Sequence, residues 1–287
     1  MAPEYHILVT GFEPFGTPRP KTNASWEAAR LLSDQRIAVP NPADPGGAPQ
    51  CLVHLHTLQL PVEYDAVLAR VPPLYHQSSN LKGQTFDFII HVGQTNPQQL
   101  TVEQCARRSG YTKKDNVEQV IAHHECPNSL LAHFGLPTQA MPSAFTPTID
   151  VPKLVTWLQQ RHQHDHSLLA QPATDAGLYL CEFTYYVSMC CSWAMSQQST
   201  ASTSAGDNAC PLPPQQCSQR GPDLVASNTP LDCCPKAQQA SRVLFIHVPP
   251  ENQPLTAQQS SQVIRDTVVW LGQHYLGSQS IGPGKGC

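Results

Sequence analysis

Charge is scarce in this chain of 287 residues: Asp, Glu, Lys and Arg together make 13% of it, about half the quarter usual in globular proteins. Seventeen Lys and Arg against 21 Asp and Glu leave a formal net charge of −4. A nucleic-acid or anionic-membrane partner needs clustered basic residues, so neither is expected. Aromatic residues are sparse as well, at 7%. No apolar run approaches the ~20 residues of a membrane span. The amino terminus, MAPEYHILVTGF, lacks the basic n-region and long apolar h-region of an export signal, so the chain reads as mature and cytoplasmic.

Proline and cysteine are what the chain has in quantity. Its 28 prolines are roughly twice the usual share. Three segments, 36–50, 127–152 and 196–240, hold 15 of them, and each is expected to be irregular. The last carries six Pro, seven Gln, six Ser and four Cys without one aromatic residue; too little apolar surface is present to offset its ordering entropy, so a long loop is expected. Eleven cysteines, an odd number, in a chain without an export signal favour free thiols over a disulfide framework. The 40% apolar content suffices to bury a core. With no internal repeat and no linker between apolar blocks, the reading is one domain over 1–287 with an insertion at about 196–240.

Strand-length apolar runs alternate with stretches of helical period. That pattern predicts an α/β fold with a largely parallel sheet. Strands are expected at Tyr5–Thr10, Leu52–Leu58, Phe86–Val92, Gly177–Leu180 and Arg242–Val248. Helices are expected from a cap at Asn23 or Ser25 to Leu32, after Pro61, from Val151 with Pro152 in the first turn, from Cys181 to Ala194, and from Thr256 onward.

Cys181 stands where the expected strand Gly177–Leu180 runs into a helix. At a helix amino terminus a thiol meets unpaired N–H groups and the positive end of the macrodipole, which favour the thiolate; a buried structural cysteine is the plain alternative. A cysteine nucleophile needs a histidine to accept its proton and a third group to orient that histidine. His247 closes an apolar strand just before Pro249 and Pro250, and Glu103 follows the strand Phe86–Val92 closely enough to reach the same sheet edge. Phe12 and Phe15, in a Gly-bracketed turn, are placed to line a pocket for a flat apolar ligand.

Four blocks occur in order: TGFEPFG with NASWEAA behind it, HVGQ leading to LTVEQCARRSGYTKKDN, DAGLYLCEFTYY, and FIHVPP. Together they resemble pyroglutamyl peptidase I, the pyrrolidone-carboxylate cysteine peptidases, and the third block resembles the animal-type members more than the bacterial ones. The resemblance implies a single-domain three-layer α/β/α sandwich around a mixed, largely parallel sheet, which removes an amino-terminal 5-oxoproline from peptides with no metal or other cofactor. It implies Cys181 as nucleophile, His247 as general base and later acid, and Glu103 as the orienting carboxylate. It also implies Phe12 and Phe15 as the residues holding the lactam ring, with Gln94 bordering that pocket. Pyroglutamyl peptides are the implied partners, and the animal-type likeness favours a monomer.

The chain departs from the family in places. Gln104 and Cys105 follow the Glu where bacterial members have Arg. Either Lys113 or Lys114 stands for the basic residue that bacterial members place ahead of the Asp-Asn pair. Glu182 follows the nucleophile in place of Asn or Asp, and a carboxylate there is expected to oppose ionisation of the thiol. Three other readings remain at this point. One is a catalytically silent pyroglutamyl-binding homologue; another is a general thiol amidase on the same fold. The third is a metal protein built on His162, His164 and His166 or on Cys210, Cys217, Cys233 and Cys234, whose spacings fit the usual zinc pairs poorly.

Overall fold

The computed structural model describes residues 2–75, 85–95, 99–136, 141–165, 168–203, 238–240 and 242–276. Strands are β1 (Glu4–Phe12), β2 (Arg36–Val39), β3 (Cys51–Leu60), β4 (Phe88–Gln94), β5 (Leu100–Glu103), β6 (Ala106–Arg107), β7 (Ala144–Pro147), β8 (Ala170–Ala173), β9 (Gln238–Ala240) and β10 (Val243–Val248). Helices are α1 (Ala24–Arg30), α2 (Tyr64–Arg70), α3 (Val151–Arg161), α4 (Leu180–Thr203) and α5 (Ala257–His274). The main sheet has the order β2-β3-β1-β4-β10-β5-β8, and a small second sheet has the order β6-β7-β9. In the main sheet β2 runs antiparallel to β3 and β5 antiparallel to β10, while the other neighbours are parallel.

The period of two along a strand sends alternate side chains to opposite faces. Ile7, Val9, Ile90, Val92, Leu244 and Ile246 pack beneath α1, α3 and α5. The other face carries Val243 and Phe245 against α2 and α4. Three layers result, as the resemblance implies.

Local chemistry fixes the helix starts. Asn23 accepts a hydrogen bond from Ser25 N–H, Asp150 from Lys153 N–H, and Thr256 forms a capping box with Gln259, each satisfying donors that a first turn leaves free. Helix α4 differs: Phe183, Tyr185, Tyr186, Val187, Met189, Cys190 and Cys191 are all fully buried, so it is embedded on every side. Each such side chain contributes about 1.5–3 kcal/mol, which seats the helix firmly. His91 of β4 adds a polar link, bonding Thr10 Oγ1 at 2.8 Å and Ser188 Oγ of α4 at 2.7 Å. Burial drives its pKa down to about 3, so the ring is a neutral bridge between sheet and helix.

Several expectations need correction. Residues 177–180 form no strand: Gly177 (φ 96°) and Leu178 (φ 47°) take left-handed backbone and Leu180 already opens α4. The edge strand in this region is β8, which the sequence hid behind a proline in AQPA. The segment 196–240 is not one loop, because α4 continues to Thr203 and β9 pairs with β7; residues 204–237 lie outside the described residues. The other two proline-rich segments also carry structure, namely β2 in 36–50, and β7 with the 3₁₀ turn Asn128–Phe134 in 127–152. Among the described residues no helix is long and apolar enough to cross a membrane.

Candidate active site

The antiparallel register of β5 on β10 sets the site. His247 lies directly opposite Thr101, and Glu103, two residues along the same face, lies diagonal to it, within reach of a long side chain. Glu103 Oε1 accepts from the His247 ring, whose Nδ1 is 2.8 Å away, and from Thr101 Oγ1 at 2.8 Å. Glu103 is 1% exposed and His247 5%. The hydrogen bond to Nδ1 leaves Nε2 facing away from the carboxylate.

Cys181 occupies the second position of α4 and lies beside His247, the two side chains sharing the space over Gly93. Burial pulls the pKa of this imidazole down, but its hydrogen bonds with Cys181 and Glu103 outweigh that and raise it to about 10. The ring therefore holds its proton at neutral pH, between a sulfur and a carboxylate. Burial pushes the Cys51 thiol up to about 11 and that of Cys190 to about 12, and drives Cys126 and Cys191 well above the ordinary range.

Gly93 pairs with His247 in the β4–β10 register. A Cβ at this glycine would lie 2.8 Å from His247 Cδ2, 2.8 Å from Phe245 Cε1 and 2.9 Å from Cys181 Sγ. The thiol and the imidazole thus rest on the bare backbone of HVGQ.

Phe12 is buried at the end of β1 in the apolar cluster that contains Cys181, and Phe15 packs against that cluster. The Phe15 ring meets Tyr179 with centroids 6.0 Å apart, so Tyr179, two residues before the thiol, adds an aromatic wall. The loop bearing these rings is pinned from three sides. Ser25 Oγ accepts from Phe12 N–H at 3.0 Å. Glu13 Oε1 accepts from Val62 N–H at 3.1 Å and from Asn116 Nδ2 at 2.9 Å, and Asn116 also donates to Pro14 O. Asp115 accepts from the backbone of Tyr64, Val117 and Gln119. The NAS and DN pieces of the motif blocks are therefore braces. Gln94 stands at the end of β4, its Oε1 accepting from Ala24 N–H at 2.8 Å, which ties the HVGQ segment to the start of α1.

Of the two lysines, Lys113 lies against the turn before Cys181: its Nζ donates to Gly177 O at 3.1 Å and sits 5.8 Å from the Tyr179 ring centroid. Lys114 turns to Glu118. Glu182, expected to oppose ionisation of the thiol, has its carboxylate bound by Arg107. Tyr179, Gly93, Arg107 and Asn116 were not singled out from sequence. Only Gly93 carried a signal, as a glycine inside a strand, where a close approach is the usual reason.

Among the described residues no group of three or more His, Cys, Asp or Glu is placed to hold a metal ion. His162 bonds Asp266 instead, and His166 and the cysteines at 210, 217, 233 and 234 lie outside the described residues.

A thiol at a helix amino terminus, an imidazole beside it and a carboxylate behind the ring form the arrangement that thiol-based acyl transfer requires. Solved structures share the fold: Bacillus amyloliquefaciens pyroglutamyl peptidase I superposes with a TM-score of 0.57 at 18% identity, covering 97% of this chain and 100% of that one. Human pyroglutamyl-peptidase 1 is 31% identical over 191 residues, 65% of this chain and 74% of the human one. The pyrrolidone-carboxylate peptidase of Chromobacterium violaceum is 30% identical over 183 residues, 63% of this chain and 69% of that one. No family model matches the chain. On the length and identity of the human match, the chain belongs to the pyroglutamyl peptidase I family.

Proposed function

We propose that this protein hydrolyses the amide bond after an amino-terminal pyroglutamyl residue of peptides, through a thioester on Cys181. The observation that carries the reading is the Cys181–His247–Glu103 line, with its 2.8 Å bond between imidazole and carboxylate and a raised imidazole pKa. Its thiolate attacks the pyroglutamyl carbonyl carbon, and first-turn N–H groups of α4 stabilise the oxyanion. The His247 imidazolium then gives its proton to the departing amine as the C–N bond breaks. Water, deprotonated by His247, cleaves the thioester and releases 5-oxoproline. Phe12, Phe15 and Tyr179 take the lactam ring between aromatic faces, and Gln94 borders it. A neutral lactam has no terminal ammonium, so no charged clamp is needed. Free thiols at Cys51, Cys126, Cys181, Cys190 and Cys191 support a reducing, cytoplasmic setting.

The test is release of a fluorophore from pyroglutamyl, prolyl and alanyl amides. Turnover of the pyroglutamyl amide alone is expected. Equal turnover of all three marks a general amidase, and none with any marks a silent homologue.

Glu103→Gln is expected to lower kcat by about 10²–10⁴-fold while leaving measurable turnover, because an amide holds the ring less well and does not stabilise its charge. The pH–rate profile of the variant should shift; an unchanged profile would remove Glu103 from the orienting role.

A sign follows for pH. The folded value near 10 lies above the ~6.5 of an unfolded histidine, so this interaction stabilises the fold fully below 6.5 and is lost as pH rises to 10. The alkaline limb of kcat should fall near pH 10, where the imidazolium can no longer protonate the leaving amine. A limb near pH 7 would contradict the arrangement.

A further inference from the structure

Glu182 directly follows Cys181, and its side chain is 1% exposed. A buried carboxylate beside a reactive thiol would repel the thiolate unless it is paired. Four donors converge on it: Arg107 N–H (3.0 Å), Arg107 Nε (2.6 Å), Arg107 Nη2 (2.8 Å) and Leu178 N–H (2.8 Å). The hydrogen bond to Glu182 raises the pKa of the Arg107 guanidinium, which thus stays charged. Arg107 Nη2 also reaches Asp175 Oδ1 at 2.5 Å, and Asp175 Oδ1 in turn accepts from Gly177 N–H at 3.0 Å.

These contacts share one target, the turn Asp175–Tyr179 that delivers the chain into α4. Leu178 holds a left-handed φ of 47° without being glycine, a conformation that persists only where the surroundings enforce it. Glu182 takes its N–H, Asp175 that of Gly177, and Lys113 the Gly177 carbonyl. From the far side, β6 is tied down by pairing with β7 and by the Tyr111 hydroxyl, which donates to Arg107 O.

We propose that Arg107 and Glu182 form a positioning pair, which fixes the turn preceding the nucleophile and cancels the charge of the carboxylate next to it. The proposal rests on the reading of Cys181 as nucleophile. Arg107 and Glu182 act through Cys181 and not on substrate. The other ionisable groups around the thiol are His247 from β10 with Glu103 behind it, Tyr179 from the turn, and Lys113 and Asp115 from the loop after β6.

The two halves of the pair have opposite charge, and this supplies a test that a purely structural role would fail. In the full-length protein, the pH dependence of Cys181 alkylation by iodoacetamide is followed by peptide mass spectrometry, alongside kcat and KM on a pyroglutamyl amide. Arg107→Met, which leaves Glu182 uncompensated, should move half-maximal labelling up by about one pH unit. Glu182→Gln should move it down, and the double variant should return it close to the parent value. In both single variants kcat should drop about tenfold, with KM nearly unchanged. Arg107→Lys, which keeps the charge and loses the fork, should hold the parent labelling profile while kcat falls; if Arg107→Met fails to fold, this variant and Glu182→Gln decide. Shifts in the same direction, or none, overturn the positioning role. Hydrolysis retained by Cys181→Ala overturns the nucleophile reading itself, so the two failures are separable.

Discussion

Cys181→Ala is expected to abolish release of the fluorophore from a pyroglutamyl amide, with a loss on the order of 10⁴–10⁶-fold in kcat. The size follows from what the sulfur does: the imidazolium, the carboxylate and the helix donors have no covalent chemistry of their own, so removing the nucleophile leaves only binding and oxyanion stabilisation. The fold should be nearly untouched. Cys181 is 8% exposed, the substitution removes a single atom, and α4 is held by the fully buried side chains from Phe183 to Cys191. A thermal midpoint within a few degrees of the parent, together with dead chemistry, is the expected pair of results. Activity within tenfold of the parent would remove the thiol from the mechanism.

The second large effect comes from a residue without any reactive group. Gly93→Ala inserts a methyl where the contacts are 2.8 Å to His247, 2.8 Å to Phe245 and 2.9 Å to Cys181. None of the three can retreat easily. Phe245 is fully buried, its ring 5.5 Å from Tyr185 and 6.4 Å from Phe12, and His247 is fastened to Glu103. The thiol and imidazole must therefore separate or rotate, and misplacement of about 1 Å costs on the order of 100-fold. Overpacking should also cost about 1–3 kcal/mol of stability. Gly93→Ala is accordingly expected to lose at least 100-fold in kcat while remaining folded by circular dichroism. A variant with full activity would show that the seat under the pair is not tight.

How much of this was legible in the sequence depends on how local each signal is. Cys181, His247 and Glu103 could be picked because each ends or follows an apolar run, and strand ends on one side of a parallel sheet converge. The long strands β1, β3, β4 and β10 were visible for the same reason. Strands β2, β5 and β8 have four residues each, too few for a period of two to stand out, and β8 contains a proline. The four apolar residues GLYL imitated a strand, whereas two of them adopt left-handed backbone and the last belongs to a helix. The pair Arg107–Glu182 is separated by 75 positions, so nothing short of the fold brings the two together, and Glu182 alone read as a liability to the thiol. The braces Glu13 and Asn116, 103 positions apart, were hidden in the same way inside motif blocks whose hold on the Phe12–Phe15 loop only the tertiary contacts reveal.

A covalent pyroglutamyl thioester on Cys181 is open to detection by rapid-quench mass spectrometry. The full-length protein is mixed with a pyroglutamyl amide, stopped in acid during turnover and digested. One pyroglutamyl acyl group is expected on the peptide carrying Cys181, absent from Cys181→Ala and discharged by hydroxylamine. Acylation of a different residue, or undiminished turnover of Cys181→Ala with no acyl adduct, would contradict it.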